Sequence, residues 1–197
     1  MTTSFLLPQK PFYLVRHGET EANAARIAAG GYLDTPLTQN GILQAKTLAD
    51  KIKALDIKPS AIYHSSLSRA RDTATHINKH LGLSMTEVPD LIEHIFGDWE
   101  NKDWDGIKPL VEAGVEPPNG ETYMGFTLRV QKELTKILNQ NHEQPPLIVA
   151  HGGTFHSFHR LYQEDHVTVS NCEMHYFTPH PAQTSFPWIV KVIHKNA

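Results

Sequence analysis

The chain has one cysteine, Cys172, among 197 residues, so no intrachain disulfide can form and no four-cysteine zinc centre can be built. Long hydrophobic runs are also missing. Phe5-Leu6-Leu7 is the only apolar run in the first ten residues, too short for the core of a secretory signal, and no later stretch approaches the ~20 apolar residues of a membrane span. Nor is there an excess of positive charge. Eighteen Lys and Arg against 21 Asp and Glu leave a net charge of -3, which argues against nucleic acid held on a broad basic face, because such binding needs many cations to displace counterions. These absences predict a cytoplasmic protein with neither a membrane nor a nucleic-acid partner.

What is present points to a globular fold. Hydrophobic residues make up 40% and charged residues 20%, which excludes a mainly disordered chain, and the length suits one domain spanning residues 1–197. Phe12-Tyr13-Leu14-Val15 reads as a buried strand that delivers Arg16 and His17 at its exit. Thr38 offers an N-cap for a helix whose apolar positions Ile42, Ala45, Leu48, Ala49, Ile52 and Leu55 follow a 3.6-residue period. A second strand at 61–63 exits through His64-Ser65-Ser66 into a helix carrying Arg69 in its first turn, with Ala70, Thr73, Ala74, Ile77 and Leu81 on one face. Pro146 to Ala150 repeats the first pattern and ends in His151-Gly152-Gly153, after a helix over about 122–139 and before a helical stretch to about 162. Two further strands are read at 174–177 and 188–193.

Strands alternating with helices imply an α/β fold with a largely parallel sheet covered on both faces, whose ligands bind outside the carboxyl ends of the strands. Arg16, His17, Arg69 and His151 are therefore predicted to converge. Guanidinium groups match phosphate oxygens in paired hydrogen bonds, so this set suits a compact polyanion. A neutral imidazole with one ring nitrogen fixed and the other free is a competent nucleophile toward phosphorus. The leaving oxygen needs a proton, and Glu93, in a partly apolar setting, is the candidate acid. Asp90, Asp98 and Glu100 lie nearby as competitors. No metal or cofactor is expected, since the sequence has neither a Walker-type glycine loop nor a close aspartate cluster, and His156 with His159 lacks a third ligand.

The segment from Pro89 to Gly120 holds three internal glycines, three prolines after the first, and Trp99 and Trp104. It reads as an irregular, substrate-facing loop at about 89–120. The two tryptophans either line its substrate side or cover the core beneath it. Cys172 reads as a small apolar core residue.

In order along the chain stand RHGET (16–20), Asn23, DTPLTQNG (34–41), SSLSRARDTA (65–74), EHIFGDWE (93–100), PPNGET (117–122) and AHGG (150–153). This series resembles the histidine phosphatase superfamily, also called phosphoglycerate mutase-like, over residues 12 to 178. The resemblance implies a three-layer sandwich with a largely parallel central sheet flanked by helices. It also implies that His17 is transiently phosphorylated within a phosphate pocket of Arg16, Arg69 and His151. Glu93 would serve as acid and then base, with Asn23 and Gly152 as further phosphate contacts. Ala22 stands where the family commonly has a tryptophan, and Gly30-Gly31 where a glutamine-glycine pair is common. The true mutases carry an arginine pair and a tyrosine for a substrate carboxylate, but between Phe96 and Gly120 this chain has no arginine and no tyrosine, only Lys102 and Lys108 as cations. A phosphomonoesterase acting on a small phosphorylated metabolite is the expectation; a phosphoglycerate mutase and a non-catalytic phospho-ligand binder are the alternatives.

Overall fold

The computed structural model describes residues 7–164, 167–180, 182–183 and 185–196. Phe5 and Leu6 of the short N-terminal apolar run lie outside them. Strand β1 (Phe12–Arg16) has four of its five residues buried. It pairs in parallel with β4 (Leu147–Ala150), Leu14 against Ile148, and antiparallel with β5 (Met174–Pro179), Leu14 opposite His175. On the far side of β4 come β2 (Ala61–Ser65) and then β3 (Ser84–Val88), both parallel, while β6 (Trp188–His194) closes the other edge against β5. The spatial order is β3-β2-β4-β1-β5-β6. Among the described strands only β5 runs against the rest, so the sheet is mixed but largely parallel.

The period of two along β1 separates the two cores. Tyr13 and Val15 face helices α2 (Gln39–Lys53) and α3 (Ser68–Asn78), packing with Leu48, Ile52, Ala74 and Ile77. Phe12 and Leu14 face the opposite layer, where α5 (Tyr123–Asn139) and α6 (Gly152–Leu161) supply Val130, Leu134, Phe155 and Phe158. Three layers result. Each large apolar side chain removed from water in these cores contributes about 1.5–3 kcal/mol. Thr38 and Thr122 cap α2 and α5, their hydroxyls each accepting a backbone N–H at 3.0 Å. No helix among the described residues is long and apolar enough to cross a membrane.

Three features differ from the sequence reading. First, α3 stops at Asn78, whose side chain exchanges two hydrogen bonds of 2.8 Å with Leu83, so Leu81 packs on the same core from a turn rather than a helix. Second, β3 is an edge strand with only Val88 buried, so its sequence shows no apolar face. Third, residues 89–120 are not irregular throughout. Two 3-10 turns (Pro89–Leu91 and Gly97–Trp99) precede a true helix, α4 (Trp104–Glu112). Asp103 caps α4 by accepting from Gly106 N at 3.0 Å, and Pro109 inside it removes one N–H from the helix and crowds the carbonyl of Asp105. Ile107 of α4 packs with Ala28, Phe96 and Trp99, so Trp99 covers a small core of its own.

Candidate active site

Arg16 of β1 sits in register with Ala150 of β4, which places the residues that follow them side by side. His17 N donates to Ala150 O at 2.9 Å, and the rings of His17 and His151 are 5.3 Å apart at 61°. The His17 ring is fixed by Nδ1, 2.7 Å from Gly18 O. A carbonyl can only accept, so Nδ1 carries the hydrogen and the neutral ring keeps its lone pair on Nε2. Burial, then the charges of Arg69 and Arg16, hold the His17 imidazole well below its usual range. It is neutral at physiological pH. Gly18 is required by crowding: a Cβ there would lie 2.6 Å from Gly41 O.

His151 is fully buried, and its pKa is lowered by the same burial and by Arg69, His17 and Arg16. Among the described residues neither of its ring nitrogens has a hydrogen-bond partner, nor do Arg16 Nε and Arg69 Nε. Buried polar atoms are ordinarily paired, and a neutral imidazole carries one N–H, so the three unpaired donors on these neighbouring side chains fit a site that an anion completes. Three of the four terminal nitrogens of these arginines are engaged by carbonyls. Arg16 Nη1 donates to Val169 O at 2.6 Å; Arg69 Nη1 and Nη2 donate to Leu33 O and Gly30 O at 3.0 and 2.9 Å. Arg69 is also 3.5 Å from Asp34, whose carboxylate accepts from Ser68 N and Oγ at the start of α3.

A cavity of about 400 Å³ opens over this floor. His17, Arg16, Asn23, Glu93, Gly152 and Gly153 border it, whereas Arg69 and His151 lie beneath, completely buried. Asn23 stands on the single turn α1 (Glu21–Ala24), exchanging hydrogen bonds with Thr20 at 3.1 and 3.2 Å. Gly152 opens α6, so its N–H is one that the helix itself leaves without a partner. Trp104, Phe96 and Tyr123 form part of the outer wall, and Trp104 also packs against the small core of Ala28, Phe96, Trp99 and Ile107.

Glu93 joins wall to floor. Its Oε1 accepts from His94 N at 2.9 Å and its Oε2 from Gly153 N at 3.1 Å. Of its competitors, Asp90 is exposed, Asp98 accepts from Asn119 Nδ2 at 2.9 Å, and Glu100 is enclosed by four backbone N–H groups, from Gly30, Tyr32, Leu33 and Phe96, at 2.8–3.3 Å. None of these three borders the cavity. The cage around Glu100 explains Gly30-Gly31: a Cβ at Gly30 would collide with the Glu100 carboxylate, and one at Gly31 would come within 2.8 Å of Glu93 O.

Two supports escaped the sequence reading. Glu100 is one. Arg129 is the other: it forms a paired contact with Glu121 at 2.9 and 2.6 Å and donates to the carbonyls of Asp90, Ile92 and Glu93 at 2.8–3.3 Å, shaping the segment that presents the Glu93 carboxylate. Both act on backbone atoms, which no residue pattern reports. Cys172 is buried in the core with its thiol pushed up to about 12, away from reactivity.

The profile of the histidine phosphatase superfamily (branch 1) matches residues 12–177. An adenosylcobalamin/alpha-ribazole phosphatase of Salmonella typhimurium is 35% identical over 154 residues, covering 72% of this chain and 73% of that one. A probable phosphoglycerate mutase of Yersinia pestis is 36% identical over 150 residues, covering 71% and 68%. Among solved structures, the alpha-ribazole phosphatase of Shigella flexneri superposes with a TM-score of 0.76 at 27% identity, covering 93% of this chain and 95% of that one.

Proposed function

Because the chain belongs to the histidine phosphatase superfamily, branch 1, we propose that it hydrolyses a small phosphomonoester through a phosphohistidine on His17. One observation carries this reading: His17 Nδ1 is bound to Gly18 O, which leaves Nε2 with its lone pair beside a buried cluster of cations. In the first step the Nε2 lone pair forms the N–P bond. The P–O bond to the alcohol breaks, its electron pair stays on oxygen, and the protonated Glu93 carboxyl supplies the proton. In the second, the Glu93 carboxylate takes a proton from water as that water attacks phosphorus, and the N–P electron pair returns to Nε2. Arg16, Arg69, His151, Asn23 and the Gly152 N–H hold the phosphoryl oxygens through both steps.

Hydrolysis is preferred over mutase action because a mutase must also hold a substrate carboxylate. Besides Arg16, the cations that border the cavity are Arg26, Lys108 and Arg160, and each is already engaged: Arg26 with Asp105, Lys108 at 3.7 Å from Glu112, and Arg160 over the Tyr123 ring. The relatives' names supply two members of the first substrate panel, alpha-ribazole phosphate and phosphoglycerate, and p-nitrophenyl phosphate joins them as a generic phosphomonoester. Turnover that persists in EDTA, with an acid-labile, alkali-stable phosphoryl-enzyme that His17→Ala cannot form, is the expected result. Full activity in His17→Ala, or interconversion of 3- and 2-phosphoglycerate in place of phosphate release, overturns it.

A further inference from the structure

Ahead of β5, residues 167–173 lie across the exit of β1. Val169 O accepts from Arg16 Nη1 at 2.6 Å, and Cys172 N is 3.0 and 3.1 Å from the carbonyls of Arg16 and His17. This turn is rigidly made. Ser170 N donates to one oxygen of the buried Glu173 carboxylate at 2.9 Å, the other oxygen is 2.7 Å from His175 Nε2, and Cys172 takes a φ of 55°.

Asn171 stands in the middle of it, and polarity alone fixes how its amide points. Its terminal nitrogen is 3.1 Å from His17 O and 3.0 Å from one terminal atom of Asn23. That same Asn23 atom lies 3.2 Å from Thr20 N, a group that can only donate. It must therefore be Oδ1, and the Asn171 atom facing it and His17 O must be Nδ2. The order is unambiguous: Thr20 N–H and Asn171 Nδ2 both give hydrogens to Asn23 Oδ1. Asn23 is left with Nδ2 as the polar end it can offer to the cavity that it and Asn171 both border.

We propose that Asn171 is a positioning residue of the phosphate site: it holds the Asn23 amide with its N–H donors toward the phosphoryl oxygens while tying the carbonyl of His17. The proposal rests on the reading above only in taking this cavity as a phosphate site. A merely structural Asn171 would secure the turn and leave the affinity of the folded protein for phosphate unchanged. Acting through Asn23, it couples to Asn23.

Calorimetric titration with inorganic phosphate, paired with steady-state kinetics, separates the two on Asn171→Ala, Asn23→Ala and the double variant. Each single change is expected to weaken phosphate binding about tenfold to 100-fold and to lower kcat/KM by at least as much, as for a lost hydrogen bond to a charged group. The double variant should be no worse than about the weaker single one, because the two act as a unit. Asn171→Ser, which keeps one donor, should fall between, and serves if the alanine variant does not fold. Unchanged phosphate affinity in the folded Asn171 variants, or losses that multiply in the double variant, overturns the proposal. A parent protein that binds phosphate in an Asn171-dependent way but hydrolyses nothing sinks the hydrolase reading and leaves this one standing.

Discussion

The groups at the floor of the cavity leave the ends of strands buried on both faces, whereas those of its wall stand on short turns tied down by side chains from elsewhere. His17 follows β1 and His151 follows β4, the two central parallel strands, and their positions are set by the register of the sheet. Glu93 has no such support. Its place depends on Arg129 grasping three carbonyls behind it and on Gly153 N in front. Precision at the floor is inherited from sheet packing; precision at the wall is assembled from individual hydrogen bonds, each of which one substitution can remove.

The largest effect that tests this contrast is expected from Glu93→Gln, which keeps the shape but cannot shuttle a proton. It should lower kcat about 100- to 10,000-fold, more for an alkyl phosphate than for p-nitrophenyl phosphate, whose leaving group needs less help. A loss under tenfold on both would move the proton-transfer role away from the wall. Next is Gly153→Ala, where the two regions touch. Its Cβ would come within 2.8 Å of Phe126 and run into the Glu93 carboxylate. Displacing that carboxylate by about 1 Å should cost on the order of 100-fold in kcat, alongside about 1–3 kcal/mol of stability from crowding the buried Phe126 ring; a stability loss without a rate loss would show that the junction is only packing.

Arg129→Ala should act on both measures. Its pair with Glu121 is mostly buried, so leaving that carboxylate alone is expected to cost about 3 kcal/mol of stability, and kcat should fall about tenfold as the 90–93 backbone relaxes. Thermal melts and kinetics of one preparation check both. Smallest is a pH effect from the floor. The folded-state pKa of His17 and of His151 is depressed, so below about pH 6.5 the unfolded chain takes up protons that the folded one refuses. Stability should therefore fall as pH drops from about 6.5 toward the folded values, by at most about 1.4 kcal/mol per unit for each histidine, and the slope should be shallower in His17→Ala. A melting temperature flat from pH 7 to 5 would contradict this.

The floor was legible in the sequence because strand exits are. An apolar run followed by Arg-His-Gly or His-Gly-Gly states both the strand and what it delivers, and the periodicity of α2 and the threonine caps of α2 and α5 were as plain. Much of the rest was not. β3 shows a mostly exposed pattern because it is an edge strand, and α4 hides behind Gly106 and Pro109, which read as breakers although Asp103 caps them into a helix. Glu93 could be named among four nearby carboxylates only with help from the resemblance, since what separates it from Glu100 is which backbone N–H groups each one meets. Arg129, Glu100 and Asn171 hold main-chain atoms or an amide, and a contact to the main chain leaves no trace in the partner's identity.

Arg69 has a consequence for how this site can vary. Its guanidinium bridges the carbonyls of Gly30 and Leu33 while its charge bears on His17. A lysine would supply the charge but, with its donors radiating from one nitrogen, could not span both carbonyls and still face the anion. The usual conservative exchange is closed at that position, since it would release the Gly30–Leu33 loop and blunt the field together. New substrate preferences are more readily reached through residues such as Trp104 and Lys108, which border the cavity without holding up its floor.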